Sequence, residues 1–413
     1  MFDSIICVGQ TTWEGDFQKA IVQLMRELSV RHRVLYVDYQ HTIKDLLMSG
    51  LGRQPEVPVG ALLGRTEALT QRAGKDGSYV WVWQPPVMLP INFLPPTLHD
   101  PLLTFNAGRL LRALRRQMKQ LGFRKPLVIN GMHPVLGAAL LGQLDEVATV
   151  YYCFDEITMS PWMRVHGGRY EADYMRRVEA VITTSEALYE AKRQVQPQTF
   201  CVKNGVDFPL FYQARQLAEQ CPPARPVVGY LGTADDRVNV ELVDHCARTM
   251  PDVTFQFVGE IKEPALTERL GRYPNVVFTP PHQPAHLPPL LAGFSAAMIP
   301  FVCNAHTRTI YPLKINEYLA AGLPVVATPF APLDEFVGIV ALADSPEAFA
   351  RALRHALDDH GPHRVQARID LARANAWANR AVAFETVFSA ISRGDERRTN
   401  LIKTAPVPLN GQP

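Results

Sequence analysis

The chain has 413 residues, enough for two domains with a core each, and is 47% hydrophobic and 20% charged, which excludes a disordered or fibrous class. Its formal net charge of +2 is too small to point to nucleic acid as the main partner. No apolar run reaches the ~18 residues of a membrane span, no secretory signal is expected because the sequence runs straight into a strand-like Ser4–Gly9, and the six cysteines are scattered without a Cys-x-x-Cys pair. A cytoplasmic chain with reduced cysteines is expected.

Ser4–Gly9 reads as a first strand, followed by a loop holding Gly15, a helix from about Phe17 to Val30 and a second strand over 33–38. That order opens a parallel α/β domain. Gly9 and Gly15 lie six apart, so Gly-x-Gly-x-x-Gly is absent. Asp38 follows Gly9 by 29 residues, where a dinucleotide fingerprint wants an acid near 20. Gly15 either lets the backbone approach a ligand or only makes the turn.

Residues 50–78 read as loop, Tyr79–Trp83 as a strand, and the Pro-rich stretch from Leu89 to Pro101 as loop again. A helix is expected over 102–121. Its Arg109, Arg112, Arg115, Arg116 and Lys119 share a face without an intervening acid, which is either a solvated face or a contact for anionic lipid. The strand over 127–130 ends at His133, and the strand over 149–154 ends at Asp155. Open α/β sheets bind ligands at the carboxyl ends of their strands, so both are site candidates. The bland readings are a structural loop histidine and a helix cap. Strands over 180–185 and 199–202 complete this half.

After Asn204-Gly-Val-Asp207 and a Pro-containing connector the pattern restarts at Val227–Gly232. Strands are expected at 254–258, 276–278, 296–299, 325–327 and 339–342, with helices between them, at about 346–358 and at about 375–392. Within Thr307–Pro329, Pro312 suits a helix start, Leu313, Ile315 and Leu319 give it an apolar side, Gly322 stops it, and 324–328 form a buried strand. Lys314 and Glu317 lie three apart on one helix face. A lysine beside a helix start can hold phosphate, and a carboxylate one turn on can accept sugar hydroxyls; the bland alternative is a surface salt bridge.

Three segments carry a family resemblance: Lys203–Asp207 with Phe211, Gly229–Arg237, and Pro312–Ala327. The chain resembles the two-domain glycosyltransferases called GT-B, in particular glycosyltransferase family 4, the glycosyl transferases group 1, with bacterial teichuronic-acid-type cell-surface glycan enzymes nearest. The resemblance implies an α/β fold of two Rossmann-like, doubly wound parallel-sheet domains facing a cleft. Residues 1–205 would bind the acceptor, with 375–393 packing back on them. Residues 206–226 would be a linker, 227–374 would bind the nucleotide sugar, and 394–413 would be a disordered tail. Glu317 matches the second Glu of the family's Glu-x7-Glu motif, which holds the ribose, while Thr309 stands where the first is usual. Arg308 and Lys314 would meet the diphosphate. Gly232, Thr233 and Arg237 form the loop where the family has an Arg–Lys pair, of which Arg237 alone keeps the charge, and His133 matches a sugar-contacting histidine.

The expected function is therefore a hexosyltransferase moving a sugar from a nucleotide-diphosphate sugar to a hydroxyl of a glycan or lipid-linked acceptor, in bacterial cell-surface polysaccharide or glycolipid synthesis. His133, Asp155, Arg237 and Lys314 are the expected catalytic residues. Gly15, Gly232, Thr233, Arg237, Arg308, Thr309, Pro312, Leu313, Lys314 and Glu317 are the expected donor contacts. Fixed cations can stabilise the leaving diphosphate without a metal, so no cofactor and no essential metal are expected. The resemblance also implies retention of configuration. Peripheral contact with the inner face of the plasma membrane would run through the 102–121 helix. Two alternatives are a GT-B-fold nucleotide-sugar epimerase or hydrolase and a non-catalytic nucleotide-sugar-binding subunit.

Overall fold

The computed structural model describes residues 2–15, 19–54, 56–159, 163–220 and 225–392. Phe17, the 221–224 part of the connector and the tail 394–413 lie outside them. Two compact units are present: residues 2–15, 19–203 and 381–392 form unit 1, and 204–220 with 225–380 form unit 2.

Unit 1 holds eight strands: β1 (Ser4–Gly9), β2 (Val34–Val37), β3 (Leu69–Ala73), β4 (Tyr79–Trp83), β5 (Pro126–Gly131), β6 (Ala148–Cys153), β7 (Ala180–Thr183) and β8 (Thr199–Cys201). Their order is β3-β4-β2-β1-β5-β6-β7-β8. β1, β5, β6 and β7 are buried along their whole length, as in a parallel sheet covered on both faces. Cys7 sits beside Tyr36 on one side and Ile129 on the other. The strand order reverses between β1 and β5, where an open α/β sheet leaves a crevice at its carboxyl edge.

Two expectations for this unit are corrected. Residues 50–78 are not all loop, because Leu69–Ala73 pairs antiparallel with β4, Leu69 opposite Trp83; its half-exposed edge position hides the apolar signal. The long helix begins at Pro96, not at 102, and runs to Leu121 through Pro101. Pro96 sits where no N–H is needed. Burial of His99, Leu103, Asn106 and Leu110 at helical spacing outweighs the bond lost at Pro101.

Unit 2 holds β9 (Val227–Leu231), β10 (Thr254–Val258), β11 (Val276–Thr279), β12 (Ala296–Ile299), β13 (Val325–Ala327) and β14 (Val340–Leu342). All are parallel in the order β11-β10-β9-β12-β13-β14, with the reversal between β9 and β12. The expected 206–226 linker is instead helical over Phe208–Gln220. Phe211 and Ala214 lie one turn apart and are buried in the unit 2 core, which holds the segment as part of the domain. A helix at Pro362–Ala374 was not anticipated. The last helix, Trp377–Ser392, belongs to unit 2 up to Arg380 and to unit 1 from Ala381.

The helix expected after Thr307 spans Leu313–Ala320, and Pro312 caps it from outside rather than occupying its first turn. At its end Gly322 takes φ +74, its N–H donates to Leu319 O, and Leu323 N–H donates to Tyr318 O. This is a Schellman termination, which requires a left-handed residue. Among the described residues no helix is long and apolar enough to cross a membrane.

Candidate functional site

The donor candidate is built at the β9/β12 reversal of unit 2. After Leu231 the chain turns through Gly232 at φ +103, and a Cβ there would lie 3.0 Å from Lys314 Cε. Gly259 ends β10 in the same way, and its Cβ would meet Gly232 O at 2.4 Å. Two strand ends therefore close up only because both residues are glycine. The Leu313–Ala320 helix is fastened here through one face. Lys314 Nζ donates to Tyr230 OH at 2.7 Å, and four residues on, Tyr318 OH accepts the Leu231 N–H at 2.7 Å.

Lys314 Nζ lies over the rings of Tyr230 and Phe301, at 4.3 and 5.0 Å from their centroids. Tyr230, not Glu317, takes its hydrogen bond, so the bland alternative of a surface salt bridge is not what organises the helix. Burial, reinforced by the Arg237 charge, lowers the Lys314 pKa to about 7. Burial raises the Glu317 pKa to about 7 against the pull of Lys314. Both side chains are half-buried and line one cavity of about 170 Å³. Leu231, Gly232, Val258, Gly259 and Leu313 form its inner walls, and Pro281, His282, Pro284 and Leu287 form a further wall after β11. It offers apolar flanks, a cation and a carboxyl side by side.

Thr233, Arg237, Arg308, Thr309 and Pro312 do not line this cavity. Thr233 O accepts the Tyr230 hydroxyl at 2.8 Å, so its loop orients Tyr230. The Arg237 guanidinium grips Asp235 with two bonds of 2.7 and 2.6 Å. Burial works against the Asp235 anion, but Arg237 outweighs it and holds that carboxyl below its ordinary range. Arg308 is exposed on a short turn over Thr307–Thr309. Within that turn Thr309 Oγ1 donates to His306 O at 2.8 Å.

Sequence reasoning missed Tyr230, Tyr318, Gly259 and the Pro281–Leu287 wall. It also missed a buried relay behind the helix: Asn316 Nδ2 donates to Tyr311 OH, Asn375 Nδ2 to Asn316 Oδ1, and Arg380 to Asn375 Oδ1. Arg380 also reaches Asn204 O at 3.3 Å. The Asn204–Asp207 turn lies against this relay: Val206 exchanges backbone bonds with Asn375 and Trp377, and a Cβ on Gly205 would meet Trp377 Cα at 2.8 Å. The repeated strand-then-glycine pattern at 231–232 and 258–259 was a readable signal for Gly259.

Unit 1 has its own cavity of about 500 Å³, at the β1/β5 reversal. Gln10 after β1, Gln40 after β2 and His133 after β5 line it, with Met88, Leu89, Ile91, Phe93, Leu103, Leu136 and Ile157 as apolar walls. His133 caps the Pro134–Leu140 helix: its Nδ1 accepts the Leu136 N–H at 3.4 Å, which assigns the ring proton to Nε2. Burial lowers its pKa to about 4, so it is a neutral donor. The turn before it places Met132 at φ 56 in the left-handed region.

Asp155 is not among the cavity residues; it is exposed, and its carboxylate accepts the Glu156 N–H at 2.8 Å. The buried charges lie beside it. Lys192 Nζ donates to Glu171 at 2.8 Å and Glu156 at 3.1 Å, and Tyr151 OH donates to Glu171 Oε1 at 2.9 Å. Gly15, also outside the cavity, has φ +143, and Lys19 reaches back to Thr12 O and Glu14 O around it. Asp38, where a dinucleotide acid might be sought, accepts the Trp13 and Tyr39 N–H groups and so holds the β1 loop. On the long helix Arg115 is bound to Gln143 O and Arg109 lies over Phe105, while Arg112, Arg116 and Lys119 face solvent.

Two doubly wound units, each with a cavity at the carboxyl ends of its strands, make this a GT-B fold. Residues 225–359 match the family model for the glycosyl transferases group 1. The chain is 25% identical over 221 residues to the teichuronic acid biosynthesis glycosyltransferase TuaH of Bacillus subtilis (strain 168), a match covering 50% of this chain and 56% of TuaH. Thus the match spans just over half the length of that relative. Among solved structures, the UDP-forming α,α-trehalose-phosphate synthase of Burkholderia vietnamiensis superposes with TM-score 0.64 at 13% identity, covering 95% of this chain and 100% of that one. Anabaena Alr3699/HepE, solved with UDP, superposes with TM-score 0.57 at 17% identity, covering 94% and 100%.

Proposed function

We propose that this protein is a glycosyltransferase that uses a nucleotide-diphosphate sugar and acts in bacterial cell-surface polysaccharide or glycolipid synthesis. The observation that carries the reading is the unit 2 cavity, where Lys314 and Glu317 stand side by side at the Gly232 turn within the segment that matches the group 1 model. A diphosphate beside Lys314 and a ribose on Glu317 fit the chemistry of those walls. A neighbour of the same fold solved with UDP supports a nucleotide ligand.

In the proposed reaction an acceptor hydroxyl oxygen bonds to the anomeric carbon as the bond from that carbon to the diphosphate oxygen breaks. The electron pair leaves with the nucleoside diphosphate, and the acceptor proton is released. Lys314 stabilises the charge on the leaving group. That charge source is the reason to propose metal independence, and retention of configuration follows the family resemblance. The unit 1 cavity, with the His133 Nε2–H in its wall, receives the acceptor. Arg112, Arg116 and Lys119 supply a basic face for anionic lipid.

The test is a thermal-shift screen against UDP-, GDP-, ADP- and dTDP-sugars. A ligand at ~100 times its dissociation constant adds about 2.7 kcal/mol to stability. One sugar nucleotide should raise Tm, and Glu317→Ala should abolish the shift. No shift with any donor would refute the reading. Donor binding without turnover on any acceptor would leave the non-catalytic binding subunit in its place.

A further inference from the structure

His99 is 1% exposed, yet it lines the 500 Å³ cavity of unit 1. It closes the first turn of the long helix that starts at Pro96. Its ring is held in two ways. His166 stacks on one face, with centroids 3.7 Å and planes 21° apart. Asp100 Oδ1 lies 2.8 Å from Nδ1. Arg169 grips both Asp100 oxygens at 2.8 Å, and Tyr170 OH donates to Oδ1 at 2.8 Å. Arg169, and after it His99, hold that carboxyl well below the ordinary carboxylate range, so it is an anion and can only accept. The short contact therefore needs a proton on Nδ1. Arg169 Nη2 also lies 3.4 Å from Nδ1, but the shorter contact to an anion decides the tautomer. In the neutral ring the lone pair is then on Nε2. Among the described residues nothing bonds to Nε2. His133 has the opposite tautomer, with its proton on Nε2. One mostly apolar chamber thus holds a donor histidine and an acceptor histidine.

We propose that His99 is a specificity-determining residue of the unit 1 cavity, and that its Nε2 accepts the hydrogen of a hydroxyl on an uncharged ligand with an apolar body. The chemistry favours a neutral alcohol over an anion. A carboxylate or phosphate would set its lone pairs against that of Nε2, with the Asp100 anion behind the ring. It would also leave water for walls such as Leu89, Ile91, Leu103 and Leu136. Of the two oppositely charged residues that line the cavity, Lys44 is exposed and Asp45 is spent on the Thr42 N–H, so neither supplies a buried cation. An ether of the same shape fills the walls but leaves Nε2 without a donor. That this ligand is the glycosyl acceptor rests on the reading above; the hydrogen bond itself does not.

The test is an NMR titration of the full chain with 4-phenylbutan-1-ol, its methyl ether and 4-phenylbutanoate, in the absence of any donor. The alcohol should bind about fivefold tighter than the ether, the net worth of one hydrogen bond, and tighter still than the carboxylate. H99M should bring the alcohol to the ether's affinity and leave the ether unchanged. H99Q, which keeps an acceptor, should restore part of the difference. An equal loss for both ligands in H99M is what a merely structural histidine gives, and it overturns the proposal. So do native affinities that do not separate alcohol from ether, tightest binding of the carboxylate, or failure of all three to bind. Should H99M not fold, the histidine 15N spectrum of the native chain decides. His99 Nε2 should resonate as an unprotonated nitrogen and move toward the protonated position with the alcohol but not with the ether; a protonated Nε2 in the free protein overturns the proposal. The donor thermal shift is read separately. Binding of the alcohol through His99 without binding of any sugar nucleotide would keep this proposal and refute the transferase reading.

Discussion

Lys314 is a cation whose surroundings disfavour its charge. Burial and Arg237 bring its pKa to about 7, so its free form is protonated below that pH and neutral above it. A bound diphosphate stabilises the ammonium and raises that pKa, so binding takes up a proton. Nucleoside diphosphate affinity should then fall as pH rises above about 7, by up to about tenfold per unit. Calorimetry across pH 6–9 checks this, and Lys314→Met should bind weakly with a shallower profile; a native profile no steeper than that of the variant would refute the role. Gly232 makes a second prediction at this scale. Alanine there meets both the positive φ and Lys314 Cε, which should cost roughly 1–3 kcal/mol in a denaturant melt and displace the lysine from its aromatic seat. Lys314 and Glu317 were legible as a pair from spacing, but their separate partners were not. Tyr230 lies 84 residues from Lys314 in the chain, and no local pattern announces that contact.

At the level of elements, a helix stop was read best where one residue type has one physical use. Gly322 ends its helix at φ +74. Segments held by distant contacts were read worst. Phe208–Gln220 looked like a linker because Phe211 and Ala214 are its fully buried anchors and find their partners far along the chain, and β3 was hidden because edge pairing with β4 makes it a strand. The ion cluster behind β6 was missed for a similar reason, since Glu156, Glu171 and Lys192 meet only in space. Removing its cation should be severe. Lys192→Met leaves Glu171 buried without its partner, an expected loss of about 3–5 kcal/mol read as a lowered denaturation midpoint, whereas changing Asp155 on the exposed loop should barely move it.

Across the molecule, the two cavities predict separate footprints. In hydrogen exchange, a nucleoside diphosphate should protect 231–237, 258–260, 281–287 and 313–317 in unit 2. The segments around the unit 1 cavity, 39–45, 88–93 and 133–136, should stay unprotected by it. Protection of the unit 1 segments by nucleotide alone would misplace the donor. Transfer activity should also persist in EDTA, because the proposed stabilising charge belongs to the chain; loss restored by a divalent ion would reject that part of the reading. By itself the sequence determined two parallel α/β units, their main strands and the Lys314–Glu317 helix, because apolar runs, Pro starts and Gly stops act over a few residues. The tertiary structure alone decided that Tyr230 and Phe301 hold Lys314, that Gly259 shares the Gly232 turn, and that Ile43, Leu47 and Leu51 are left exposed. Those outcomes depend on which strand ends become neighbours across the sheet and on which apolar faces the core leaves uncovered.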